Sequence, residues 1–547
     1  MKLENILIII LLTFVYSLSL FVPLNDNDSA HHATIALNMF LNNNVISLIS
    51  HGEPYLDKPH FQFWLLYFSY KLFGVSTFAY KISSLFFTIL TLFSTYKLTK
   101  HIFNKEIAKN ATLIIATSFA FMMGNVDIRM DAILTGGVVF SVYKLVQYFD
   151  DKKWITLILA SLGIGITFST KGIFGVAIIG LISLFYAIHK GIFKELFQLK
   201  FLSIIPLFFL FILPVLIAYY IQFDMHPETI VRGTTGNSGV KFILFHQSFS
   251  RMGGKEFGES SSNDYFFFFH TLLWSIIPWS LLYCVGVFNQ MKKSIQEKKL
   301  FSDTSLSLVF PVLLIFIVMG ISKFKLPHYM LPVYPFTAIF IAYYVSGLSK
   351  DSLKKWNIIQ NIQYVLLIIT GIILNYWVFS TESIWLSIFY VFLAFLVFYN
   401  LLKSKNLILK GTWICILFWI PFNSNFFPKL LSFQGGQNIA KSVNKLKLNN
   451  ENILYFGAID LPYSFDYYTA HIHKFCTIEE LKIRKSRKLE TYLFVEYKDL
   501  KQLGENKLFF KLINKAKDFR ITVLTGKFLN PNSRKKVVNY VYLVKLN

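Results

Sequence analysis

Long apolar stretches separated by short polar segments dominate the pattern of hydrophobic and polar residues along this chain. Each stretch is about 20 residues long, which matches the roughly 30 Å hydrocarbon core of a bilayer at 1.5 Å of helix per residue. The pattern predicts a polytopic α-helical membrane protein with about 13 transmembrane helices. The predicted spans are 5–24, 78–97, 108–124, 132–149, 155–170, 172–188, 201–221, 265–288, 305–321, 331–348, 358–379, 384–402 and 411–427.

One apolar stretch, 155–188, is too long for a single crossing. Its length of about 34 residues corresponds to about 51 Å of helix. The sequence Thr170-Lys171-Gly172 near its middle predicts a turn between two helices. This turn places Lys171 at a membrane surface.

The composition agrees with a membrane protein. Hydrophobic residues make up 54% of the 547 residues and charged residues only 15%, whereas about a quarter of a soluble domain is charged. The net charge is +24, and lysines cluster in short loops between apolar stretches, which is the pattern of membrane topology. We therefore predict membrane lipids as neighbours and no nucleic acid partner. Segment 1–24 lacks a clear small-x-small cleavage site, so we expect it to stay as the first helix.

The three cysteines indicate no special covalent chemistry. They lie far apart, at Cys284, Cys415 and Cys476. This spacing predicts neither a disulfide framework nor a CxxC metal pair.

The lysine distribution predicts the orientation in the membrane. One set of loops is rich in lysine, and cytoplasmic loops carry this excess. These loops lie around 97–109, 152–153, 190–200, 292–299, 350–355 and 403–410. We therefore expect a multi-pass membrane protein whose first long loop, 25–77, and C-terminal region lie on the outer side of the membrane.

The character of the chain changes near residue 428. "ENILYFGAID" and "ETYLFVEY" predict strands, "TIEELKIRK" a short helix, and "KKVVNYVYLVKL" a final strand. We therefore predict a transmembrane domain at 1–428 and a soluble, extracytoplasmic α/β domain at 429–547.

The first outer loop, 25–77, begins with acidic residues followed by an amphipathic helix. Apolar side chains recur at helical spacing after Ser29, which predicts a helix lying along the membrane surface. Asp28 stands at the start of this helix. It is either the N-cap, which satisfies a backbone N–H, or a reactive carboxylate, and both roles can coexist.

The same loop continues with "GEPYLDKP". Gly52 and Pro54 predict a turn, and Tyr55, Asp57 and Lys58 follow it. Lys58 is either a lysine that extends its ammonium to the membrane surface or a contact for a lipid phosphate.

Two more charged segments are predicted at the same outer surface. "NVDIRMDAIL" contributes Asp127, Arg129 and Asp131, and "SKFKLPHYMLP" contributes Lys323, Lys325, His328 and Tyr329. A single charge at a membrane boundary is often structural. Carboxylates and cations from several loops together indicate an outward-facing site for a phosphate-bearing lipid.

These segments, together with "STKGIFG" and "DYFFFFHTLLWSIIPWSLL", occur in an order that resembles the GT-C lipid-linked-sugar glycosyltransferases over residues 5–430. The most similar branch contains the lipid A aminoarabinose transferases and the protein mannosyltransferases. The resemblance implies a GT-C fold, a polyprenyl-phosphate sugar donor, and inverting transfer at the outer face of the membrane.

The resemblance also implies roles for individual residues. Asp28 matches the catalytic aspartate and Asp131 the second acidic position. Donor phosphate contacts are implied for Lys58, Lys171 and Arg251, the last in "HQSFSRM", and substrate contacts for Tyr55, Asp57, Tyr329 and Lys325. The chain departs from the family at Ser29, where a glutamate is usual, and at His31, where an arginine is frequent.

Several functions remain open at this level. The acceptor is lipid A or another envelope glycan, or a protein in a protein O-glycosyltransferase. A polyprenyl-lipid flippase usually has internal repeats and charges in the middle of the bilayer, and neither pattern is clear here. A membrane assembly factor has no need for Asp28, Lys58 and Lys171 together. No ligand spacing compels a cofactor, and a divalent metal held by Asp57 and a histidine such as His328 is left open.

Overall fold

A computed structural model describes residues 3–247, 263–298, 303–457 and 462–547. The first part of the chain is helical and the last part contains a β-sheet. The helices are α1 (Leu3–Ser19), α2 (Asp28–Leu41), α3 (Phe61–Phe73), α4 (Thr77–Ile102), α5 (Lys105–Thr117), α6 (Phe119–Val126), α7 (Asp131–Asp151), α8 (Trp154–Lys171), α9 (Ile173–His189), α10 (Leu199–Asp224), α11 (Phe267–Ser275), α12 (Ser280–Gln296), α13 (Leu306–Ile321), α14 (Pro327–Ser346), α15 (Lys350–Val378), α16 (Ile384–Lys403), α17 (Leu407–Leu431), α18 (Gly435–Leu446), α19 (Tyr463–Thr469), α20 (Ile478–Ser486) and α21 (Tyr497–Glu505).

The strands are short in the first outer loop and longer near the C-terminus. They are β1 (Ile49–Ser50), β2 (Glu53–Pro54), β3 (Ile453–Phe456), β4 (Lys474–Cys476), β5 (Tyr492–Glu496), β6 (Phe510–Asp518) and β7 (Asn539–Leu546). Short helical turns lie at Phe193–Phe197, Gly239–Lys241, Phe242–His246, Asn450–Asn452, Gly526–Leu529 and Pro531–Arg534.

The protein is a polytopic helical membrane protein. In the part of the chain that the structure describes, eight helices are long and apolar enough to cross a bilayer, and α5 and α6 form a further candidate span that bends by 54°. Helices α1, α9 and α13 are apolar but shorter. Each predicted span overlaps a helix, but the single span at 265–288 is wrong because the chain forms α11 and α12 there. The total of 13 crossings stays a prediction.

Helix α7 is the central element of the membrane part. Most of its residues are buried, and it packs against α4, α8 and α9. A Cβ atom added at Gly137 would lie 2.5 Å from Thr167 Oγ1 of α8, so the two helices approach closely at this point. By contrast, α15 and α16 expose large apolar side chains such as Ile362 and Phe395, which suits a lipid-facing surface.

The predicted turn in the long stretch 155–188 is confirmed. Helix α8 ends at Lys171 and α9 begins at Ile173. Gly172 between them has a φ of 69°, which glycine adopts without a steric penalty. The turn fixes Lys171 at the end of α8, next to the start of α7.

The C-terminal sheet has the strand order β4-β3-β5-β7-β6. Strand β3 is parallel to β4 and β5, whereas β7 is antiparallel to β5 and β6. The three predicted strands and the helix α20 are present. Strand β6 was not predicted because it lies at an edge and carries lysines at alternate positions, a pattern common in exposed edge strands. The domain boundary at 428/429 stays a prediction.

Helix α19 joins the C-terminal domain to the first outer loop. Asp26 accepts hydrogen bonds from Ser464 N (3.0 Å) and Ser464 Oγ (2.6 Å). The buried Asp466 carboxylate lies 2.6 Å from His51 Nε2 and 2.7 Å from His473 Nδ1. His51 is at the tip of the β1–β2 hairpin and has a φ of 49°. The C-terminal domain therefore contacts both the segment before α2 and the hairpin after it.

Candidate active site

The start of α2 sets the position of Asp28. Asn27 is the N-cap, because its side chain accepts a hydrogen bond from Ser29 N at 2.9 Å. The interpretation of Asp28 as the cap is therefore wrong, since Asp28 is the first residue inside the helix. Its carboxylate is half-exposed and can pair with another group.

The partner of Asp28 comes from the connection between α6 and α7. Arg129 Nη1 lies 3.0 Å from Asp28 Oδ2, and Arg129 Nη2 lies 3.3 Å from Asp127 Oδ2. Burial alone would raise the pKa of Asp28, but the guanidinium of Arg129 holds it well below its ordinary value. The charge of Lys58 acts in the same direction. Asp28 is therefore ionised at neutral pH.

Ser29 joins α2 to the connection between α6 and α7. It is one of the two positions at which the chain departs from the family pattern. Its Oγ lies 2.7 Å from Asp127 Oδ1 and 2.6 Å from the carbonyl oxygen of Ile128. The hydroxyl has one proton for these two acceptors. A glutamate here would place a third carboxylate beside Asp28 and Asp127, so the serine keeps α2 close to the Asp127–Asp131 segment without additional repulsion.

A second ion pair lies deeper, between the first residue of α7 and the last residue of α8. Lys171 Nζ is 2.6 Å from Asp131 Oδ1, and their side chains are only 7% and 5% exposed. The ammonium also lies over the ring of Tyr329, 4.6 Å from its centroid. These contacts bring together three of the predicted residues.

His328 connects the two ion pairs. Its Nε2 is 3.9 Å from Asp131 Oδ2, and its Nδ1 is 3.5 Å from Arg129 Nη1. Successive contacts therefore link Asp28, Arg129, His328, Asp131 and Lys171. We call these five residues the ionic network.

Tyr55, Asp57 and Lys325 were also predicted as site residues, and each has its own contacts. Tyr55 packs edge-on against His31, with ring centroids 5.2 Å apart, and so borders the first turn of α2. Asp57 forms an ion pair with Arg232. Lys325 is nearly buried and lies 5.9 Å from the ring centroid of Tyr265.

Arg251 lies outside the described residues. Arg129 and His328 were named from the sequence among the charged residues of the outer segments, but their central place between the two ion pairs was not predicted. The alternation of charged residues in Asp127-Ile128-Arg129-Met130-Asp131 was the available signal for Arg129, because this spacing gives one cation two nearby carboxylates.

The residues considered as metal ligands have other partners. Asp57 faces Arg232, and His328 lies between Arg129 and Asp131. Across the described ranges, no group of three or more His, Cys, Asp or Glu side chains is arranged to hold a metal ion. The chemistry that these side chains themselves can supply is charge stabilisation by cations and proton acceptance by a carboxylate.

The chain is similar in sequence to known proteins. The family profile of dolichyl-phosphate-mannose-protein mannosyltransferases matches residues 57–218. A protein of Aquifex aeolicus (strain VF5) is 25% identical over 474 residues, which is 84% of this chain and 86% of that protein. An undecaprenyl phosphate-alpha-4-amino-4-deoxy-L-arabinose arabinosyl transferase of Proteus mirabilis (strain HI4320) is 25% identical over 379 residues, 66% of this chain and 64% of that enzyme.

A solved structure shows the fold. ArnT from Cupriavidus metallidurans bound to undecaprenyl phosphate superimposes with a TM-score of 0.72, over 99% of this chain and 97% of that one, at 16% sequence identity. The chain spans slightly less than two thirds of the length of the Proteus transferase. The sequence matches and the shared fold show that this chain is similar to the aminoarabinose transferases and the protein mannosyltransferases, which are GT-C glycosyltransferases.

Proposed function

We propose that this protein transfers a sugar from a polyprenyl-phosphate donor to lipid A or another envelope glycan at the periplasmic face of the bacterial cytoplasmic membrane. The ionic network carries this proposal, because it places two carboxylates and the cations that pair with them at the helix ends of a membrane protein. The similarity to proteins whose names include undecaprenyl phosphate supports a lipid-linked donor.

The donor phosphate is the group that the cations stabilise. When the bond between the anomeric carbon and the phosphate oxygen breaks, negative charge grows on the leaving phosphate. Arg129 and Lys171 of the network, together with Lys58, stabilise that charge. A single such contact contributes about 3 kcal/mol in a protected site. Arg251 is a further phosphate contact in this proposal.

Asp28 acts on the acceptor. The acceptor oxygen attacks the face of the anomeric carbon opposite the phosphate, so the configuration inverts. Because the low pKa of Asp28 makes it a weak base, it orients the acceptor hydroxyl and takes the proton late, as the new carbon–oxygen bond forms. If the acceptor is itself a phosphate, no proton needs to leave and Asp28 only positions it.

Asp131 is a positioning residue in this mechanism. Its carboxylate is buried and pairs with Lys171, so it holds the ammonium over Tyr329 and towards the donor. The acceptor is therefore activated by one carboxylate, in keeping with Ser29 at the position where the family usually has a glutamate.

A protein acceptor is the second candidate. The mannosyltransferase family profile matches residues 57–218, which include most of α3 to α10 and their loops. The donor chemistry is the same in both cases, and the acceptor alone separates them.

The test compares envelope glycolipids and glycoproteins by mass spectrometry in wild type, a deletion strain and Asp28→Asn at equal expression. We expect one sugar-sized mass to disappear from a glycolipid in both mutants. Loss from a glycoprotein would establish the second candidate. Loss in the deletion but not in Asp28→Asn would remove Asp28 from the mechanism, and no loss in the deletion would contradict the transferase.

The periplasmic orientation has its own test. In a Cys284→Ser background, because Cys284 is the exposed native cysteine, Asn42→Cys should react with a membrane-impermeant maleimide in intact spheroplasts. The control Lys354→Cys lies in a loop predicted to be cytoplasmic and should react only after lysis. The reverse pattern would invert the topology.

A further inference from the structure

A cavity lies where helices α15, α16 and α17 meet the C-terminal domain. Its volume is about 430 Å³, which is within the range of pockets that hold small ligands, about 300–1,000 Å³. None of the described residues that line it belongs to the ionic network. The cavity is therefore separate from the candidate active site, and the proposed function does not use it.

Three cations and one carboxylate line this cavity. Lys429 is in the last turn of α17, Lys517 is on the edge strand β6, and Arg534 ends the short turn Pro531–Arg534. The carboxylate is that of Glu382, in the loop between α15 and α16. The described lining thus has an excess of positive charge, which suits an anion.

Arg534 is held in place by several contacts. Its Nη2 donates hydrogen bonds to the carbonyl oxygens of Val378 (2.7 Å) and Leu529 (3.1 Å). Its Nε donates to the carbonyl oxygen of Phe528 (2.8 Å), and the guanidinium carbon lies 4.2 Å from the ring centroid of Phe379. These hydrogen bonds to described residues use Nε and Nη2, so Nη1 is the part of the guanidinium that a ligand meets.

The two lysines are also within reach of a ligand. Lys429 Nζ is 3.0 Å from Glu382 Oε1, but the side chain of Glu382 is 86% exposed, and such exposed ion pairs contribute little. Lys517 is exposed and lies 5.5 Å from the ring centroid of Phe433. Its ammonium forms no ion pair with a residue that the structure describes. An anion in the cavity therefore meets both ammonium groups without breaking a strong contact.

Two tryptophans place the cavity at the boundary of the bilayer. Trp377, which lines the cavity at the end of α15, is 54% exposed, and Trp385, near the start of α16, is 77% exposed. Tryptophan is enriched where the hydrocarbon core meets the lipid headgroups. Further along the same two helices the exposed side chains are apolar, as at Ile369 and Phe392. An anion bound in the cavity therefore lies at the depth of the headgroups, beside a surface that suits acyl chains.

We propose that this cavity binds the phosphate of an anionic phospholipid of the adjacent leaflet, such as phosphatidylglycerol, between Lys429, Lys517 and Arg534. An anionic headgroup is preferred over a zwitterionic one because the cavity already has an excess of cations. The acyl chains lie along the exposed apolar side chains of α15 and α16. Because the cations come from both the membrane part and the C-terminal domain, the bound lipid stabilises the contact between the two.

Native mass spectrometry of the purified full-length protein with added phosphatidylglycerol tests the proposal. The double variant Lys429→Gln/Lys517→Gln removes two charges, while Arg534 keeps its contacts with the end of α15. We expect the dissociation constant for phosphatidylglycerol to rise about thirtyfold, since each lysine near a lipid surface contributes about a factor of five. Lys517→Gln alone, at an exposed residue, should raise it about fivefold without an effect on folding.

The matched control is Lys511→Gln/Lys515→Gln, which removes two exposed lysines of the same strand that do not line the cavity. Its dissociation constant should stay within about twofold of wild type. An equal loss in the control would show a general effect of charge and overturn the proposal, as would wild-type affinity in both cavity variants.

Two further ligands identify what the cavity recognises. Phosphatidylcholine should bind the wild type at least about tenfold more weakly than phosphatidylglycerol, and equal affinity would refute the preference for an anionic headgroup. Inorganic phosphate should not displace phosphatidylglycerol at equal concentration, and displacement would show that the site takes a free anion instead of a lipid.

Thermal unfolding in nanodiscs tests the effect on the contact between the domains. Wild type should unfold at a higher temperature in phosphatidylglycerol than in phosphatidylcholine, and the cavity double variant should lose this difference while the control keeps it. A difference that the cavity variant retains would show that the lipid does not support this contact.

Discussion

Replacing Lys171 by methionine should destabilise the protein and weaken donor binding at the same time, and a second substitution should separate the two effects. Methionine fills a similar volume but removes the ammonium that lies 2.6 Å from Asp131. Asp131 is 5% exposed, so Lys171→Met leaves a buried carboxylate without its main partner. Adding Asp131→Asn removes that charge again.

The expected loss of stability follows from the burial of the ion pair between Lys171 and Asp131. Removing one partner of a buried ion pair costs about 3–5 kcal/mol, whereas replacing both partners by neutral groups is often close to neutral. We expect about 3 kcal/mol for Lys171→Met, at the lower end, because His328 remains 3.9 Å from Asp131. The double variant should recover at least about 2 kcal/mol of this loss.

The assay is thermal unfolding in detergent, followed by circular dichroism, with the affinity for undecaprenyl phosphate measured on the same samples. Lys190→Met is the matched control, since Lys190 also lies over a tyrosine ring, Tyr186, but is exposed. We expect the double variant to regain stability but not lipid affinity. A double variant as unstable as Lys171→Met would refute the role of the unpaired Asp131 charge, and wild-type lipid affinity in Lys171→Met would refute its phosphate contact.

Three further substitutions probe the site and its supports. Arg129→Gln removes the guanidinium 3.0 Å from Asp28 and so raises the pKa of that carboxylate. The acid side of the kcat–pH profile should therefore move to higher pH. An unchanged profile would argue against Asp28 as the group that must be ionised. Gly172→Ala puts a side chain at a φ of 69° and should lower the free energy of unfolding by about 1–3 kcal/mol. The control Gly180→Ala, with open space around its Cβ position, should lower it by less than about 0.5 kcal/mol. Equal losses would show that the positive φ of Gly172 is not the cause. Asp466→Ala leaves His51 and His473 without their shared acceptor and should lower the free energy of unfolding by about 3 kcal/mol. A loss under about 1 kcal/mol would show that this contact does not hold the C-terminal domain in place.

The attachment of helix α19 to the first outer loop gives the C-terminal domain a structural role next to the proposed catalytic residue. Ser464 bonds to Asp26, two residues before the proposed catalytic Asp28. Burial raises the pKa of Asp26 to about 7 although the bonds from Ser464 oppose this shift. Because the ionised form is disfavoured in the folded protein, this group should reduce stability as the pH rises from about 4 to about 7. Asp26→Asn should remove that part of the pH dependence in thermal unfolding, and a pH dependence equal to that of wild type would contradict it.

The sequence by itself determined the membrane class, the positions of most helices and the turn at Gly172. These features depend on local properties, namely the length of apolar runs and the conformations that single residues allow. The same is true of α2 and of strands β3, β5 and β7, whose periodicity is visible within one segment. The segments that contribute to the site were also identifiable, because their charges interrupt apolar runs.

The tertiary structure decided how these charges pair. Lys171 faces Asp131 because α7 and α8 pack closely and the last residue of α8 lies beside the first residue of α7. No local sequence pattern contains that information. Arg129 became central because it lies between α2 and α14, which are remote in sequence. Asp28 lost its role as a cap because the neighbouring Asn27 took it.

The space between the first outer loop and the C-terminal domain likewise depends on packing between distant parts of the chain. Its lining combines residues 25–28 with residues in 518–542, about 500 residues later in the sequence. The docking of α19 on the first outer loop and the hydrogen bonds of Gln434 with Leu24 and Asp26 bring these parts together. The sequence therefore predicted a site for a phosphate-bearing lipid, while the contact between the two domains was decided by burial and buried hydrogen bonds that no local pattern contains.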